Sequence, residues 1–295
     1  MVKTRKTKSN ISKLLHNKTI LITGGAGSIA SGLVKQLVNY SVKAIRVLDI
    51  DEHALFVLGR SINDKRVRLL LGNILDKERI NMAGIGVDII IHTAAIKNIE
   101  ISEYNPIETI DTNINGTVNL IKMAMQNKPK IFLNISTDKA VEPSTLYGTT
   151  KQIGEWITSW AGAYIPNTKF STIRFGNVFE TRGNVFEIWE EEAKKNQPLS
   201  ITNPEMSRYY YHVDEAVQFI LDCLLIQKSG EIFIPKMKSY NMKKLASKYS
   251  KKHKIIGVRQ GEKMNEKLLT EYEKKNSIKK KDMWIVKKYA STSNS

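Results

Sequence analysis

Cysteine and long apolar runs are scarce in this sequence, and their scarcity excludes several classes of protein. The 295-residue chain has a single cysteine, Cys223, so it cannot form an internal disulfide. Cys223 lies in the segment AVQFILDCLLIQ, whose apolar spacing predicts a buried helix and a core residue rather than a nucleophile. No apolar run approaches a membrane span in length, and the basic opening MVKTRKTKSN is not followed by the apolar stretch of a secretory signal. We therefore expect a cytoplasmic protein with no membrane partner.

Acidic residues are few relative to basic ones: 29 Asp and Glu against 46 Lys and Arg give a formal net charge of +17. Such an excess can bind nucleic acid, but the charge is scattered, with dense patches only at KTRKTK and KKNSIKKKDMWIVKK. No zinc-finger, RNA-recognition or basic-zipper pattern accompanies it. We therefore expect no nucleic acid partner, and a basic surface that attracts a small doubly anionic ligand. The five histidines lack metal-ligand spacing, so no metal site is predicted.

Short apolar runs alternate with longer amphipathic segments from residue 18 onward. The runs TILIT, AIRVLD, VRLLLG, DIIIHTAA, KIFLNIS and FSTIRFG predict buried strands. Helices are predicted between them at 28–39, 53–62, 106–127 and 149–163. Repeated strand, helix, strand units indicate a parallel sheet covered on both faces. The predicted fold class is therefore α/β, a Rossmann-type doubly wound parallel sheet.

The alternating pattern changes after about residue 176, where turns, charged helices and loops follow. This change predicts a smaller C-terminal substrate-binding lobe beside the dinucleotide-binding domain. The predicted boundaries are a basic tail at 1–17, the Rossmann domain at 18–176 with 208–235 returning to it, the lobe at 177–207 and 236–285, and a polar tail at 286–295.

The segment TILITGGAGSIASGLVKQL has the order strand, glycine turn, helix. Gly24 permits a tight turn, Gly27 lets backbone amides approach a pyrophosphate, and Ala30 is the third small residue that close helix packing requires. Because this turn is the first strand–helix junction of an alternating α/β pattern, it predicts a dinucleotide-binding loop. Ser28 and Ile29, at the start of the helix, are further candidates for cofactor contact.

Asp49 closes the second predicted strand, about 20 residues beyond the glycine turn, where a carboxylate can accept hydrogen bonds from a ribose diol. A 2′-phosphate there would meet like charge, so NAD is favoured, while Arg46 and Arg60 nearby leave NADP possible. Candidates to line the adenine and ribose lie after the next two predicted strands. They are Asn73, Ile74, Ala94 and Ala95.

The segment STDKAVEPSTLYGTTK, residues 136–151, places Tyr147 and Lys151 four residues apart at the start of a predicted helix, on one face. The phenol of a free tyrosine has a pKa near 10. To act as a base near neutrality, its phenolate must be stabilised so that this pKa falls by about 3, equivalent to about 4 kcal/mol. Lys151 and an oxidised nicotinamide could supply this stabilisation. The pair predicts a tyrosine that removes a hydroxyl proton while hydride leaves the same carbon.

Asp138 and Lys139 are not needed for simple oxidation and could form a solvated turn after the fifth strand. That strand end faces the predicted cofactor site, however. An acid and a base beside a new ketone suit elimination: the ketone makes the proton on the neighbouring carbon acidic, and an acid can protonate a hydroxyl that departs from the next carbon. Hydride then returns to the carbon that lost its hydroxyl.

The Tyr-x-x-x-Lys pair and the glycine loop resemble the extended short-chain dehydrogenase/reductase superfamily. The Thr-Asp-Lys triplet, with its lysine eight residues before Tyr147, resembles the inverting UDP-N-acetylglucosamine 4,6-dehydratases of the polysaccharide biosynthesis family. The resemblance covers residues 18 to 272 and implies that Thr137 binds the reacting hydroxyl. It also implies a UDP-sugar substrate, a tightly bound and recycled NAD or NADP, and a homo-oligomer, either a dimer or a hexamer.

The same resemblance implies substrate contacts on four segments, AAIKNIEISEYNP, RFGNVFETRGNV, MSRYYYHVDEAV and GVRQGEKMNEKL. The implied residues are Lys97 and Glu103 at the sugar, Asn177 and Arg182 near the nucleotide sugar, Arg208 beside the diphosphate, and Arg259 and Glu262 at the phosphate and ribose. Lys97 is also a cofactor candidate. A planar guanidinium can pair two anionic oxygens at once, which suits a diphosphate.

Two alternatives remain open from the sequence. A 4-epimerase or 4-keto reductase would use Tyr147 and Lys151 without Asp138 and Lys139. A non-catalytic scaffold would bind dinucleotide and hold nucleic acid with its basic ends. Tyr147 favours the inverting branch of the dehydratases, whereas Asp49 and the segment DIDEHALF look more like the retaining branch.

Overall fold

A nine-stranded sheet forms the centre of the part of the chain that this computed structural model describes, residues 5–289. The strands of these residues are β1 (Thr19–Thr23), β2 (Ala44–Asp49), β3 (Val67–Leu71), β4 (Ile89–His92), β5 (Ile131–Thr137), β6 (Lys169–Phe175), β7 (Asn177–Val178), β8 (Leu199–Ile201), β9 (Ser207–Tyr211), β10 (Glu231–Pro235), β11 (Lys238–Asn241), β12 (His253–Ile255), β13 (Ile278–Lys279) and β14 (Met283–Lys287). The helices are α1 (Arg5–Leu15), α2 (Ser28–Leu37), α3 (Glu52–Ser61), α4 (Lys77–Gly84), α5 (Ile99–Tyr104), α6 (Pro106–Ile110), α7 (Gly116–Asn127), α8 (Leu146–Tyr164), α9 (Val185–Lys194), α10 (Val213–Ile226), α11 (Met242–Ala246) and α12 (Glu271–Asn276).

The order across the large sheet is β13-β14-β10-β6-β5-β4-β1-β2-β3. The pairs from β3 to β10 are parallel, and β14 adds to β10 in the antiparallel direction. The chain moves outward from β1 to β3 and then crosses back to β4 on the other side of β1. Ligands of such sheets bind at the carboxyl edge beside this reversal. The predicted Rossmann-type α/β fold is confirmed.

Helices cover both faces of the sheet, which explains why β1, β4 and β5 are buried along their whole length. On one face, the core joins the strands to Leu33 of α2 and Ile220 of α10. On the other face, it joins them to Ile80 of α4, Leu120 of α7 and Ala161 of α8. Cys223 is buried, as its apolar surroundings predict.

The helix predicted over 106–127 is interrupted by a π-helical turn, Asp111–Asn115, between α6 and α7. The Asn113 side chain explains the interruption, because it binds the backbone of Ile96 through both its oxygen and its nitrogen. Asn113 also donates to the Thr150 hydroxyl at 3.0 Å. The π turn therefore ties the loop after β4 to the helix that carries Tyr147.

A smaller lobe is built from a three-stranded sheet, β11-β9-β7, and a two-stranded one, β12-β8. Its core contains aromatic and aliphatic side chains from α9, α11 and these strands, including Trp189, Phe186 and Tyr210. Among the helices of residues 5–289, none combines the length and the hydropathy of a membrane-spanning segment.

The two ends of the described chain differ from the predicted tails. Residues 5–15 form α1, whose Ile11 and Leu15 are buried in the main core, because these two residues lie one turn apart on the face toward α10. At the other end, β13 and β14 extend the large sheet, so 278–287 do not belong to the lobe or to a polar tail. Residues 1–4 and 290–295 lie outside the described chain.

Candidate active site

The glycine turn lies at the carboxyl end of β1, against the loop after β4. Gly24 has a φ of +64°, and a Cβ there would lie 2.6 Å from the backbone nitrogen and Cα of Ala94. Only glycine meets both requirements. The Asp49 carboxylate accepts the Ala26 amide at 2.9 Å and so holds the same turn. The structure thus brings the predicted cofactor residues Gly24, Asp49 and Ala94 together at one edge of the sheet.

The other cofactor candidates have structural partners of their own. Ser28 opens α2 and its hydroxyl accepts the Arg182 amide, while Ile29 packs against the main core. Asn73 is exposed and accepts the Leu75 amide. Ile74 is buried against Gly116, where a Cβ would come within 2.4 Å of its Cδ1. Ala95 follows Ala94 in the loop after β4. Contact of these residues with a cofactor stays a prediction.

Thr137, Asp138 and Lys139 form a hydrogen-bonded group where β5 ends. A 3₁₀ turn, Asp138–Ala140, begins there. The Thr137 hydroxyl and the Lys139 ammonium each donate to Asp138 Oδ1 at 3.0 Å. Lys139 also donates to Asn177 Oδ1 at 3.3 Å. Asp138 is fully buried, and its second oxygen, Oδ2, has no hydrogen-bond partner within residues 5–289.

Close packing of α8 on this turn brings Tyr147 to the group. A Cβ on Gly148 would lie 2.3 Å from the Lys139 carbonyl oxygen, so glycine allows the helix to approach. The start of α8 is capped by Thr145, which accepts the Gly148 amide, and by Glu103, which accepts the Leu146 amide at 2.8 Å. Glu103 thus has a capping role, and its contact with the sugar stays a prediction.

The charges around Tyr147 differ from the sequence prediction. Burial raises the pKa of Tyr147, the Lys139 ammonium and a hydrogen bond with Thr137 oppose the rise, and Asp138 adds to it. Lys139 is thus a cation that acts on the phenol and that the sequence prediction did not name, while the action of Lys151 on Tyr147 stays a prediction. Burial lowers the pKa of Lys151 to about 8, and the Glu155 carboxylate opposes this change.

The implied substrate residues fall into two groups. Arg182 lies at the glycine turn, where its guanidinium donates to the Ala26 carbonyl at 3.0 Å and its own carbonyl accepts from Lys97 at 2.9 Å. Arg208 is buried and pairs with Glu262 at 3.0 Å. The Glu262 carboxylate, which the resemblance implies at the phosphate and ribose, is thus bound by Arg208. Arg259 is half-exposed and pairs with Glu100 on α5 at 3.1 Å.

Two groups of functional interest were missed in the sequence. Glu266 is only 8% exposed, and burial raises its pKa, while Lys139 lowers it and Asp138 raises it. In the sequence it lies in a charged loop and looks like a surface residue. Tyr210 is also buried near Lys139 and Arg208, and burial raises its pKa to about 12.

Arg174 forms the second missed group, although a charged residue within the apolar run FSTIRFG was a visible signal. Its guanidinium pairs with Glu155 of α8 at 2.6 Å and with Glu273 of α12 at 2.8 Å. Glu155 also accepts the Ser136 hydroxyl at 2.7 Å. This buried ionic cluster joins α8, which carries Tyr147 and Lys151, to β5 and to the end of the chain.

A cavity of about 830 Å³ lies between α2, α3 and α10 and reaches the glycine turn through Ala26, Ser28 and Arg182. Its lining does not include the Asp138–Lys139 pair. Within the described residues, no group of histidine, cysteine and carboxylate side chains is arranged to hold a metal ion.

Comparison with known proteins places the chain in a family. The model of a family described as polysaccharide biosynthesis protein matches residues 20–288. An uncharacterized membrane protein of Methanocaldococcus jannaschii is 42% identical over 295 residues, which cover 95% of this chain and 89% of the relative. The inverting UDP-N-acetylglucosamine 4,6-dehydratase of Campylobacter jejuni is 37% identical over 263 residues, covering 87% of this chain and 79% of the relative.

A solved structure agrees over a similar extent. Pen from Bacillus thuringiensis has a TM-score of 0.90 and 32% identity, with 93% of this chain and 89% of that chain covered. Both the sequence match and the structural match run through the sheet and the smaller lobe. The chain therefore belongs to the polysaccharide biosynthesis protein family.

Proposed function

We propose that the protein is a UDP-N-acetylglucosamine 4,6-dehydratase that inverts carbon 5. The observation that carries this proposal is the Lys139–Asp138 pair, 3.0 Å long and next to the Tyr147 phenol at the end of β5. Oxidation or epimerisation at carbon 4 needs one base and does not use such a pair. Elimination of water needs a proton acceptor at carbon 5 and a proton donor at carbon 6, which the pair provides. We also propose that the enzyme acts in the cytoplasm as a homo-oligomer.

The residues at the carboxyl edge fit a dinucleotide. Gly24 and Gly27 keep the turn free of side chains, α2 begins directly after it, and Asp49 lies at the end of β2. When bound there, NAD would take hydride from carbon 4 and return it to carbon 6 of the sugar. Asp49 would accept the ribose hydroxyls, which favours NAD over NADP. The remaining cofactor contacts are assigned to Ser28, Ile29, Asn73, Ile74, Ala94, Ala95 and Lys97.

Tyr147 removes the carbon 4 hydroxyl proton in the first step. Lys139 and Thr137 favour its phenolate, and the Thr137 hydroxyl can also hold the reacting oxygen. Lys151, one turn further along α8, is placed to hold the ribose and the nicotinamide side of the site. The proton of the carbon 4 hydroxyl thus ends on Tyr147.

The Lys139–Asp138 pair carries out the elimination. Its acceptor takes the proton of carbon 5, and its donor protonates the carbon 6 hydroxyl, which leaves as water. One proton shared across the 3.0 Å bond is enough for the pair to act as donor and as acceptor. Transfer of that proton from one group to the other turns the acid into the base and the base into the acid. As hydride reaches carbon 6, the pair returns a proton to carbon 5. This proton arrives from the face that gives the inverted configuration.

The nucleotide part of the substrate is assigned to the basic residues of the smaller lobe and the adjoining loops. Arg208 and Arg259 would bind the diphosphate and Glu262 the ribose, since a guanidinium can bind two phosphate oxygens together. Asn177 already contacts Lys139 and would hold the sugar. Lys97, which donates to the Arg182 carbonyl, and Arg182, which donates to the Ala26 carbonyl at the glycine turn, would contact the nucleotide sugar.

Mass spectrometry of the product tests this proposal. Purified protein incubated with UDP-N-acetylglucosamine should release a sugar nucleotide lighter by one water, without steady accumulation of reduced cofactor. Recovery of the intact substrate would contradict the proposal. Recovery of an isomer of unchanged mass would support a 4-epimerase instead.

A further inference from the structure

Residues 261–267, which we call the strap, are fastened to the catalytic segment after β5. The Lys263 ammonium donates to the Val141 carbonyl at 2.8 Å, and Lys267 pairs with Glu142 at 2.9 Å. These contacts reach the residues that directly follow the Asp138–Ala140 turn. The strap therefore has a fixed place beside the Lys139–Asp138 pair, although it is more than a hundred residues away in the sequence.

The strap carries Glu266 into this place. Glu266 is 8% exposed, and its Oε2 has no hydrogen-bond partner in the described chain. The nearest cation, Lys263, is 3.8 Å from that oxygen, beyond hydrogen-bonding distance. A buried polar atom without a partner is costly and calls for an explanation in the function of the protein.

The charged groups that face Glu266 are those of the pair and two further cations. Burial raises the pKa of the Glu266 carboxyl; Lys139 lowers it, Asp138 raises it, and Lys263 and Arg208 lower it. Glu266 in turn raises the pKa of Lys139, together with Asp138 and Tyr147. Two carboxyl groups thus face one ammonium, and each has an oxygen without a partner in the described chain.

The number of protons that the pair takes and gives in one turnover indicates what Glu266 could do. In each turnover of the proposed reaction, the pair takes one proton from carbon 5, gives one to the leaving hydroxyl, and gives one back to carbon 5. Tyr147 keeps the proton of the carbon 4 hydroxyl. The pair is therefore left one proton short when hydride returns, with an uncharged amine beside a carboxylate in a buried site.

We propose that Glu266 is a positioning residue that acts through Lys139 and, as a protonated carboxyl, returns this missing proton to the pair. This inference depends on the proposed dehydratase function. Glu266 then regains a proton from solvent beside Lys263, whose side chain is 25% exposed, while Tyr147 loses its extra proton to solvent, so that the cycle closes. The role falls after hydride return, since the pair begins each turnover with the shared proton that elimination needs.

Rapid-quench measurement of dehydrated product with excess substrate tests the proposal in Glu266→Gln, which keeps the shape of the side chain but cannot give a proton. With UDP-N-acetylglucosamine, the first turnover should match that of the wild type and later turnovers should be about tenfold slower, because the pair must regain its proton without Glu266. Glu266→Asp, which keeps a carboxyl, should recover part of the rate of the later turnovers. Glu191→Gln removes an exposed carboxylate of α9 in the smaller lobe and should leave the first and later turnovers unchanged.

Three results would overturn the role of Glu266. They are later turnovers of Glu266→Gln at the wild-type rate, an equal loss in the first and later turnovers, and a Glu266→Asp variant as slow as Glu266→Gln. The wild-type enzyme reports separately on the proposed function. If it releases no dehydrated product, the function is wrong whatever the variants do.

Discussion

Gly24 shows how a single residue shapes the cofactor site. Its positive φ and its 2.6 Å approach to Ala94 are separate requirements, one local to the backbone and one imposed by the neighbouring loop. Gly86 has a similar φ of +65°, but a Cβ added there would meet no neighbouring atom within 4 Å. Substitutions at the two glycines can therefore distinguish the cost of a positive φ from the cost of the close contact with Ala94.

We expect Gly24→Ala to lower the free energy of unfolding by about 1–3 kcal/mol more than Gly86→Ala, because the added methyl group must displace backbone. Gly24→Ala should also weaken NAD binding. Chemical denaturation and calorimetric titration with NAD measure both effects. Equal destabilisation by the two substitutions would show that the contact with Ala94 does not limit the turn.

At the level of elements, α8 depends on the ionic cluster around Arg174. Burial raises the pKa of Glu155 and of Glu273, but the Arg174 guanidinium outweighs it and holds both below the ordinary 4.5. Since both pKa values are lowered in the folded state, the cluster stabilises the fold fully above pH 4.5. That contribution is lost as the pH falls through the lower folded values.

Arg174→Met should lower the free energy of unfolding at neutral pH by about 3–5 kcal/mol, because it leaves Glu155 with only the more distant Lys288, at 3.6 Å, and removes the ion pair of Glu273. The loss should shrink as the pH falls below 4.5, where the carboxyls become protonated. Lys195→Met removes an exposed pair with Glu191 and serves as the control, with a change of at most about 0.5 kcal/mol. Urea denaturation across this pH range measures both, and a constant difference at all pH values would contradict the account.

For the whole molecule, the sequence predicts the sheet, the glycine turn and the Tyr147 segment, because these depend on local periodicity and fixed spacing. The docking of α1 is hidden by the lysines between its apolar residues, and the addition of β14 depends on pairing with β10, far away in the chain. Glu266 could not be recognised for the same reason. Its surroundings exist only after the strap has folded onto the residues that follow β5.

The pairing of the implied substrate residues was also beyond the sequence. Arg208 and Glu262 come from β9 and from the strap, and a match of motifs does not indicate that they bind each other. Glu103, which the family resemblance implies at the sugar, also caps α8, because α5 packs against that helix. Contacts between distant segments account for these differences.

The most direct test of the central claim compares the wild type with Lys139→Ala in deuterated water, with proton NMR of the sugar nucleotide product. The wild type should release a 4-keto-6-deoxy product with one deuterium at carbon 5. Lys139→Ala should still reduce the bound cofactor, more slowly because Lys139 no longer favours the Tyr147 phenolate, and should form this product at least about 100-fold more slowly than the wild type. Dehydrated product from Lys139→Ala at the wild-type rate, or a wild-type product without deuterium at carbon 5, would contradict the assignment of elimination to the Lys139–Asp138 pair.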